Sequence, residues 1–127
     1  MSDLAASPAT IAWLRDYYAA VDALRFEQLA EFMHDSCTCL LPNGIRLVGR
    51  EQILNVLRSS LEALAGIRHE LRHVWETGEE VIFELEITYR RRDGQTIVRP
   101  GAGIFVLDHG RLGEQRMFAD VKGVWDG

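Results

Sequence analysis

From residue 8 onward, apolar positions recur every three or four residues. Ile11, Leu14, Tyr18 and Val21 form one stripe, and Trp13, Tyr17 and Leu24 widen it. Ser7-Pro8 in front supplies a capping hydroxyl and a proline suited to the first helical position. The spacing predicts a helix over 8–24, apolar enough on one side to lie against a sheet. FEQLAEFM (26–33) reads as a short second helix and SCTCLL (36–41) as a strand, closed by the turn Pro42-Asn43-Gly44. Gly49 then precedes a third helix over 50–64, with Ile53, Leu57, Leu61 and Leu64 on one stripe and Gly66 to end it.

The second half has a different period. Val81, Phe83, Leu85, Ile87 and Tyr89 alternate with Ile82, Glu84, Glu86 and Thr88, the pattern of a half-buried strand with its polar set on the outer face. Asp93-Gly94 makes a hairpin turn. Residues 96–107 form the return strand, apolar on both faces. Asp108-His109-Gly110 turns the chain into a last strand over 111–121. Helices followed by an antiparallel meander predict an α+β fold with helices packed on one face of a sheet. A sheet curved around the first helix would leave a cone-shaped pocket between them. The apolar residues on the other sheet face suggest a partner, most simply a second copy of the chain.

IRHELRHVWET (67–77) is ambiguous by period alone. It contains HELRH, which fits the zinc-protease pattern H-E-x-x-H. Gly66 before it and Thr77-Gly78 after it favour a strand, with His69, Leu71, His73 and Trp75 on one face. Four residues of strand place the two histidines ~13 Å apart, too far to share an ion that holds its donors at ~2 Å. No metal and no protease chemistry are expected here.

At 127 residues, one domain spanning 1–127 with a core over about 8–125 is expected. With 19 acidic against 14 basic side chains the net charge is −5, which disfavours nucleic acid as a partner. The N-terminal stretch lacks a basic start and an apolar run, and no segment reaches the ~18 apolar residues of a membrane span. A cytoplasmic protein with Cys37 and Cys39 reduced is the expectation.

Two stretches carry a family resemblance: YYAAVDALRFEQLAEFMHDSCTCLLPNGIRLVGREQIL (17–54) and GIFVLDHGRLGEQRMFADV (103–121). The first resembles the opening of the nuclear-transport-factor-2-like superfamily and its SnoaL-like proteins. The second resembles their last hairpin, with Arg116, Phe118 and Asp120 in an arginine-aromatic-acid ending. The resemblance covers about 8–125 and implies a cystatin-like fold: a cone-shaped α+β barrel of N-terminal helices on a curved, mostly antiparallel sheet. Its members include isomerases, cyclases, dehydratases and proteins without catalysis.

Carried over residue by residue, the resemblance is uneven. Tyr17 matches the helix-one tyrosine of ketosteroid isomerases, but Leu41 stands in place of their base and Ala102-Gly103 in place of their sheet acid. His69 is similar to a catalytic histidine of scytalone dehydratase, whose second histidine has no counterpart in TYRRR (88–92). Tyr17, Asp22 and His69 match the trio of bile-acid dehydratases.

Chemically, a neutral histidine, with an ordinary pKa near ~6.5, can take a proton. A carboxylate beside it orients the ring, and a tyrosine hydroxyl can donate to a carbonyl oxygen. His69 is therefore the candidate base, Asp22 its orienting partner and Tyr17 the electrophilic donor. Each also has an ordinary role open to it: core aromatic, end of a helix, satisfied strand histidine. Trp13, Leu41, His73, Trp75 and Asp120 are candidate substrate-binding residues, with Asp120 alternatively a partner of Arg116. The expected function is a cofactor-free lyase or isomerase acting on a small hydrophobic carbonyl compound, polyketide, steroid or aromatic. A non-catalytic ligand-binding or accessory protein is the alternative. Either form is expected as a homodimer through the outer sheet face.

Overall fold

Ser7 caps the first helix by accepting the Thr10 backbone N–H at 3.2 Å. Helix α1 (Pro8–Asp22) then runs with Leu14, Tyr17, Tyr18 and Val21 buried. The computed structural model describes residues 5–125. α1 stops two residues short of expectation because Leu24 adopts a left-handed φ of 57°, and the Ala23, Leu24 and Arg25 N–H groups fold back on the carbonyls of Ala19, Val21 and Ala20. Helix α2 (Phe26–Phe32) leads directly into β1 (Met33–Leu40), which starts three residues earlier than its alternation suggests. A three-residue strand, β2 (Arg46–Val48), pairs with β1 and is too short to show a period. Then come α3 (Arg50–Glu62), β3 (Gly66–Thr77), β4 (Glu80–Arg90), β5 (Thr96–Asp108) and β6 (Arg111–Ala119).

The strands form one open sheet in the order β2-β1-β6-β5-β4-β3. All neighbours are antiparallel except β1 and β6, which run parallel because the meander returns its last strand beside the first. Burial along β4 follows the alternation: Val81, Phe83, Leu85, Ile87 and Tyr89 are buried, and they face the apolar side of α1. The helices lie on one face of this curved sheet, the cone-shaped α+β architecture implied by the resemblance. Among the described residues no helix is long and apolar enough to cross a membrane.

β3 is an edge, and its exposed backbone is covered in two places. Residues 5 and 6 bridge to it, with Ala5 opposite Trp75 and the Ala6 N–H donating to the Val74 carbonyl at 3.3 Å. Further along, the His69 N–H donates to Asp22. Glu76 accepts from the Ser7 N–H at 2.9 Å and the Thr10 hydroxyl at 2.8 Å, bonds that lower its carboxyl pKa.

One irregularity in β3 changes the reading of its histidines. The β3–β4 register shifts between Leu71 and His73: Leu71 pairs with Leu85, but His73 pairs with Glu84, Val74 with Phe83 and Trp75 with Ile82. The extra residue, Arg72, is a β-bulge that reverses which side chains face inward. His69 faces the core with Ile87. His73 and Trp75, stacked on one another at 5.5 Å, belong to the outer phase of the sheet with Glu84 and Ile82. The expectation that His69, Leu71, His73 and Trp75 share one face is thus corrected, and the two rings of HELRH are separated by the sheet as well as by distance.

Candidate functional site

Between α1, α3 and the concave sheet face lies a cavity of about 280 Å³. Its interior wall is built from Tyr17 and Tyr18 of α1, His69 of β3, Tyr89 of β4 and Gln115 and Met117 of β6. Leu57 and Leu61 of α3 close one side. The exposed lining residues Pro42, Asn43 and Trp125 mark the mouth. Trp125 is fixed there by its indole N–H, which donates to the Ser60 carbonyl at 2.9 Å, and by an edge contact with Tyr89.

His69 and Asp22 form the most ordered polar pair on this wall. His69 Nδ1 lies 2.6 Å from Asp22 Oδ1, and the His69 backbone N–H donates to Asp22 Oδ2 at 2.9 Å. Both carboxylate oxygens are therefore committed to one residue. An ionised carboxylate can only accept, so in the neutral ring the proton sits on Nδ1 and the lone pair on Nε2. Nε2 bonds to no described residue, and the ring lines the cavity. The ring is only 8% exposed and stacks on Tyr18, with centroids 4.4 Å apart.

The tyrosines differ in what they touch. Tyr17 donates to Gln115 Oε1 at 3.4 Å, whereas Tyr18, the one against His69, reaches only the Met117 sulfur at 3.7 Å. Burial raises the pKa of both well above 10.0 and pushes Tyr89 up to about 12, so all three hydroxyls are neutral donors at ordinary pH. No Asp, Glu, Lys or Arg is among the described residues that line the cavity. Among the described residues no three His, Cys, Asp or Glu side chains group as a metal site.

Residues 14–115 match the SnoaL-like domain. The chain belongs to the SnoaL-like family. No curated protein matches it by sequence. Three solved structures show how far this SnoaL-like fold extends. A candidate SnoaL-like polyketide cyclase from Shewanella denitrificans is 17% identical, with 91% of this chain and 93% of that one covered at a TM-score of 0.80. An NTF2-like protein of unknown function from Exiguobacterium is 23% identical over 85% of this chain and 98% of that one, TM-score 0.76. An LEH-like epoxide hydrolase from M. tuberculosis is 17% identical over 91% and 85%, TM-score 0.77. At these identities the likeness is one of fold.

In this SnoaL-like chain, His69, Tyr17 and Leu41 line the cavity, and Asp22 stands behind His69. Four other candidates lie elsewhere. Trp13 packs on Tyr17, Phe32 and Phe105, and its indole donates to the Gly110 carbonyl at 3.0 Å, tying α1 to the β5–β6 turn. His73 and Trp75 are turned out by the bulge. Asp120 is exposed and pairs with Arg99 at 3.8 Å, while Arg116 pairs instead with Glu80 and Glu114. The sequence does not single out Tyr18 or Gln115 as site residues. Tyr18 could have been found as the neighbour of Tyr17 on a wide helical face; a lone glutamine in GEQRM carries no sequence signal.

The buried thiols give a stability prediction. Burial pushes Cys37 from 9.0 up to about 11 and Cys39 up to about 12. Above pH 9 the unfolded chain releases thiol protons that the fold retains. Stability should therefore be full below pH ~9 and fall as pH rises through 9 towards 12. Urea midpoints measured at pH 7.5 and 10.5 should show this fall, and Cys37→Ala/Cys39→Ala should reduce it, leaving the part owed to the buried Tyr17, Tyr18 and Tyr89. An unchanged midpoint in the native sequence would refute the burial argument.

Proposed function

We propose that this SnoaL-like domain is a cofactor-free lyase or isomerase that removes a proton beside the carbonyl of a small, uncharged, apolar molecule. The observation that carries the reading is the doubly held His69–Asp22 pair with Nε2 free towards an apolar cavity. Nε2 would take the proton from carbon as the C–H electron pair moves into the carbonyl, giving an enolate. Asp22 would stabilise the imidazolium that forms. The enolate then either takes the proton back at another carbon, an isomerisation, or expels a group from the next carbon, an elimination. Neutral hydroxyl and amide donors elsewhere on the cavity wall suit the enolate oxygen. The polyketide cyclase and epoxide hydrolase names carried by structures of this fold agree with apolar substrates.

The test needs no knowledge of the natural substrate. In D₂O, the wild type should catalyse exchange of the benzylic C1 protons of 2-tetralone, followed by proton NMR. Absence of exchange above the buffer rate would sink the reading. Binding without exchange would favour the second reading, a ligand-binding protein, which Leu41 on the cavity wall and the lack of a cavity-lining carboxylate favour.

A homodimer through the outer sheet face belongs to the same proposal. Ile82, Val98 and Phe118 are 36%, 48% and 47% exposed on that side of the sheet. Some of the charges around them are paired within the chain, Arg116 with Glu80 at 3.3 Å and Arg72 with Glu86 at 3.2 Å, which lowers the charge a second copy meets. Light scattering should give twice the chain mass for the wild type and one chain mass for Val98→Glu/Phe118→Glu. A monomeric wild type would remove the dimer.

A further inference from the structure

Gln115 is only 6% exposed, and with Thr10 it is one of the few polar residues buried among the described residues. It stands on the cavity wall between Cys39 of β1 and Phe105 of β5. A carboxamide buried among such neighbours without full hydrogen bonding is costly, and a leucine would fill the place with less penalty. Only one end of it is engaged. The Tyr17 hydroxyl donates to Oε1 at 3.4 Å, and the amide nitrogen bonds to no described residue. That nitrogen is not sealed in protein: among the described residues only Nε of Arg116, ion-paired with Glu114 at 3.1 Å, is sealed without a hydrogen bond. It opens on the cavity.

The tyrosine decides which end of the amide faces the cavity. Oxygen and nitrogen of a carboxamide are interchangeable in shape, so the partner sets the orientation. Burial keeps the Tyr17 phenol neutral, and Gln115 is the acceptor the structure gives its proton. The amide oxygen is drawn to Tyr17 and the NH₂ is turned inward. While that bond holds, the Tyr17 proton is turned to Gln115 rather than to a ligand.

We propose that Gln115, held by Tyr17, is the donor that receives a ligand's carbonyl oxygen, and that the cavity takes neutral two-ring ketones. Size supports the ligand class: a dry cavity of about 150 Å³ holds one benzene, and this one is about 280 Å³. The uncharged lining supports it too, because a buried ion would find no counter-charge there. A ketone oxygen only accepts, and the neutral His69 ring that acts as base offers the cavity only a lone pair, so the oxygen belongs on the Gln115 side. The role in turnover rests on the proton-abstraction reading; the binding role does not.

The probe is 2-tetralone, with its oxygen-free counterpart tetralin as reference. Calorimetric titration of the wild type should show the ketone bound about fivefold more tightly than tetralin, the factor of one neutral hydrogen bond. Difference infrared spectra should show the bound carbonyl stretch below its frequency in hexane. Gln115→Leu and Gln115→Met, two variants in case one folds poorly, should remove both the preference and the shift while tetralin affinity stays within about twofold. Tyr17→Phe, a loss at a positioning residue, should reduce the shift without abolishing it. His69→Ala should keep the preference, so an exchange failure and a binding failure are separable. The inference is overturned if the wild type shows no preference, if both Gln115 variants keep it, or if Tyr18→Phe removes the shift while Gln115→Leu retains it.

Discussion

Replacing His69 by alanine should lower enzyme-dependent deuterium exchange into 2-tetralone by about 10²- to 10⁴-fold, the range a positioned general base supplies. The fold should survive. Alanine keeps the backbone N–H that donates to Asp22 Oδ2 at 2.9 Å, so the edge of β3 stays covered. What is lost is the ring between Asp22 and the cavity, including its stack on Tyr18. Asp22→Asn should cost less than the loss of the ring, as expected for a group that orients another. An asparagine can still accept from the backbone or the ring, but it cannot balance the charge of an imidazolium. Thermal unfolding of each variant, read beside the exchange rate, separates lost chemistry from lost structure. Undiminished exchange in His69→Ala would end His69's candidacy as the base.

How the site could be read in advance depends on the kind of signal each residue leaves. The β4 alternation and the α1 stripe are long and regular, and the structure follows them closely. β2 left no such signal because three residues cannot express a period. Strict alternation puts His73 and Trp75 on the wrong face for a specific reason: it assumes an unbroken ladder, and Arg72 breaks it. Nothing in the string HELRH announces a bulge; it becomes visible only when β3 must pair with the fixed alternation of β4. The His69–Asp22 pair, 47 residues apart in sequence, followed from family resemblance and not from spacing, since α1 and β3 meet only in the folded chain. Gln115 was illegible for a further reason. Its meaning lies wholly in the apolar company it keeps and in the tyrosine that turns it, both supplied by other elements.

Gly103→Ala should be the most disruptive single methyl in the chain. A Cβ at Gly103 would stand 2.3 Å from Phe83 Cζ and under 3.0 Å from two more atoms of the ring, a separation that real side chains do not tolerate. Phe83 cannot swing away. It is fully buried, meets Phe105 edge-on at 4.8 Å and Tyr18 at 5.9 Å, and stands on a central stretch of β4 paired directly with Gly103. Overpacking of this kind costs about 1–3 kcal/mol, and a rigid aromatic neighbour argues for the upper end. Alanine's lower chain entropy when unfolded offsets only about 0.5–1 kcal/mol. The net loss of about 2 kcal/mol should appear as a drop of roughly 6–10 °C in Tm for a domain of this size. The strain should also reach the site, because Tyr18 lies between Phe83 and His69. Phe83→Leu in the Gly103→Ala background should recover part of the stability, although Phe83→Leu alone removes buried ring atoms and destabilises. That sign reversal in a double-mutant cycle is the diagnostic measurement. A Gly103→Ala protein with unchanged Tm, or a cycle with no coupling, would show that the ring has somewhere else to go.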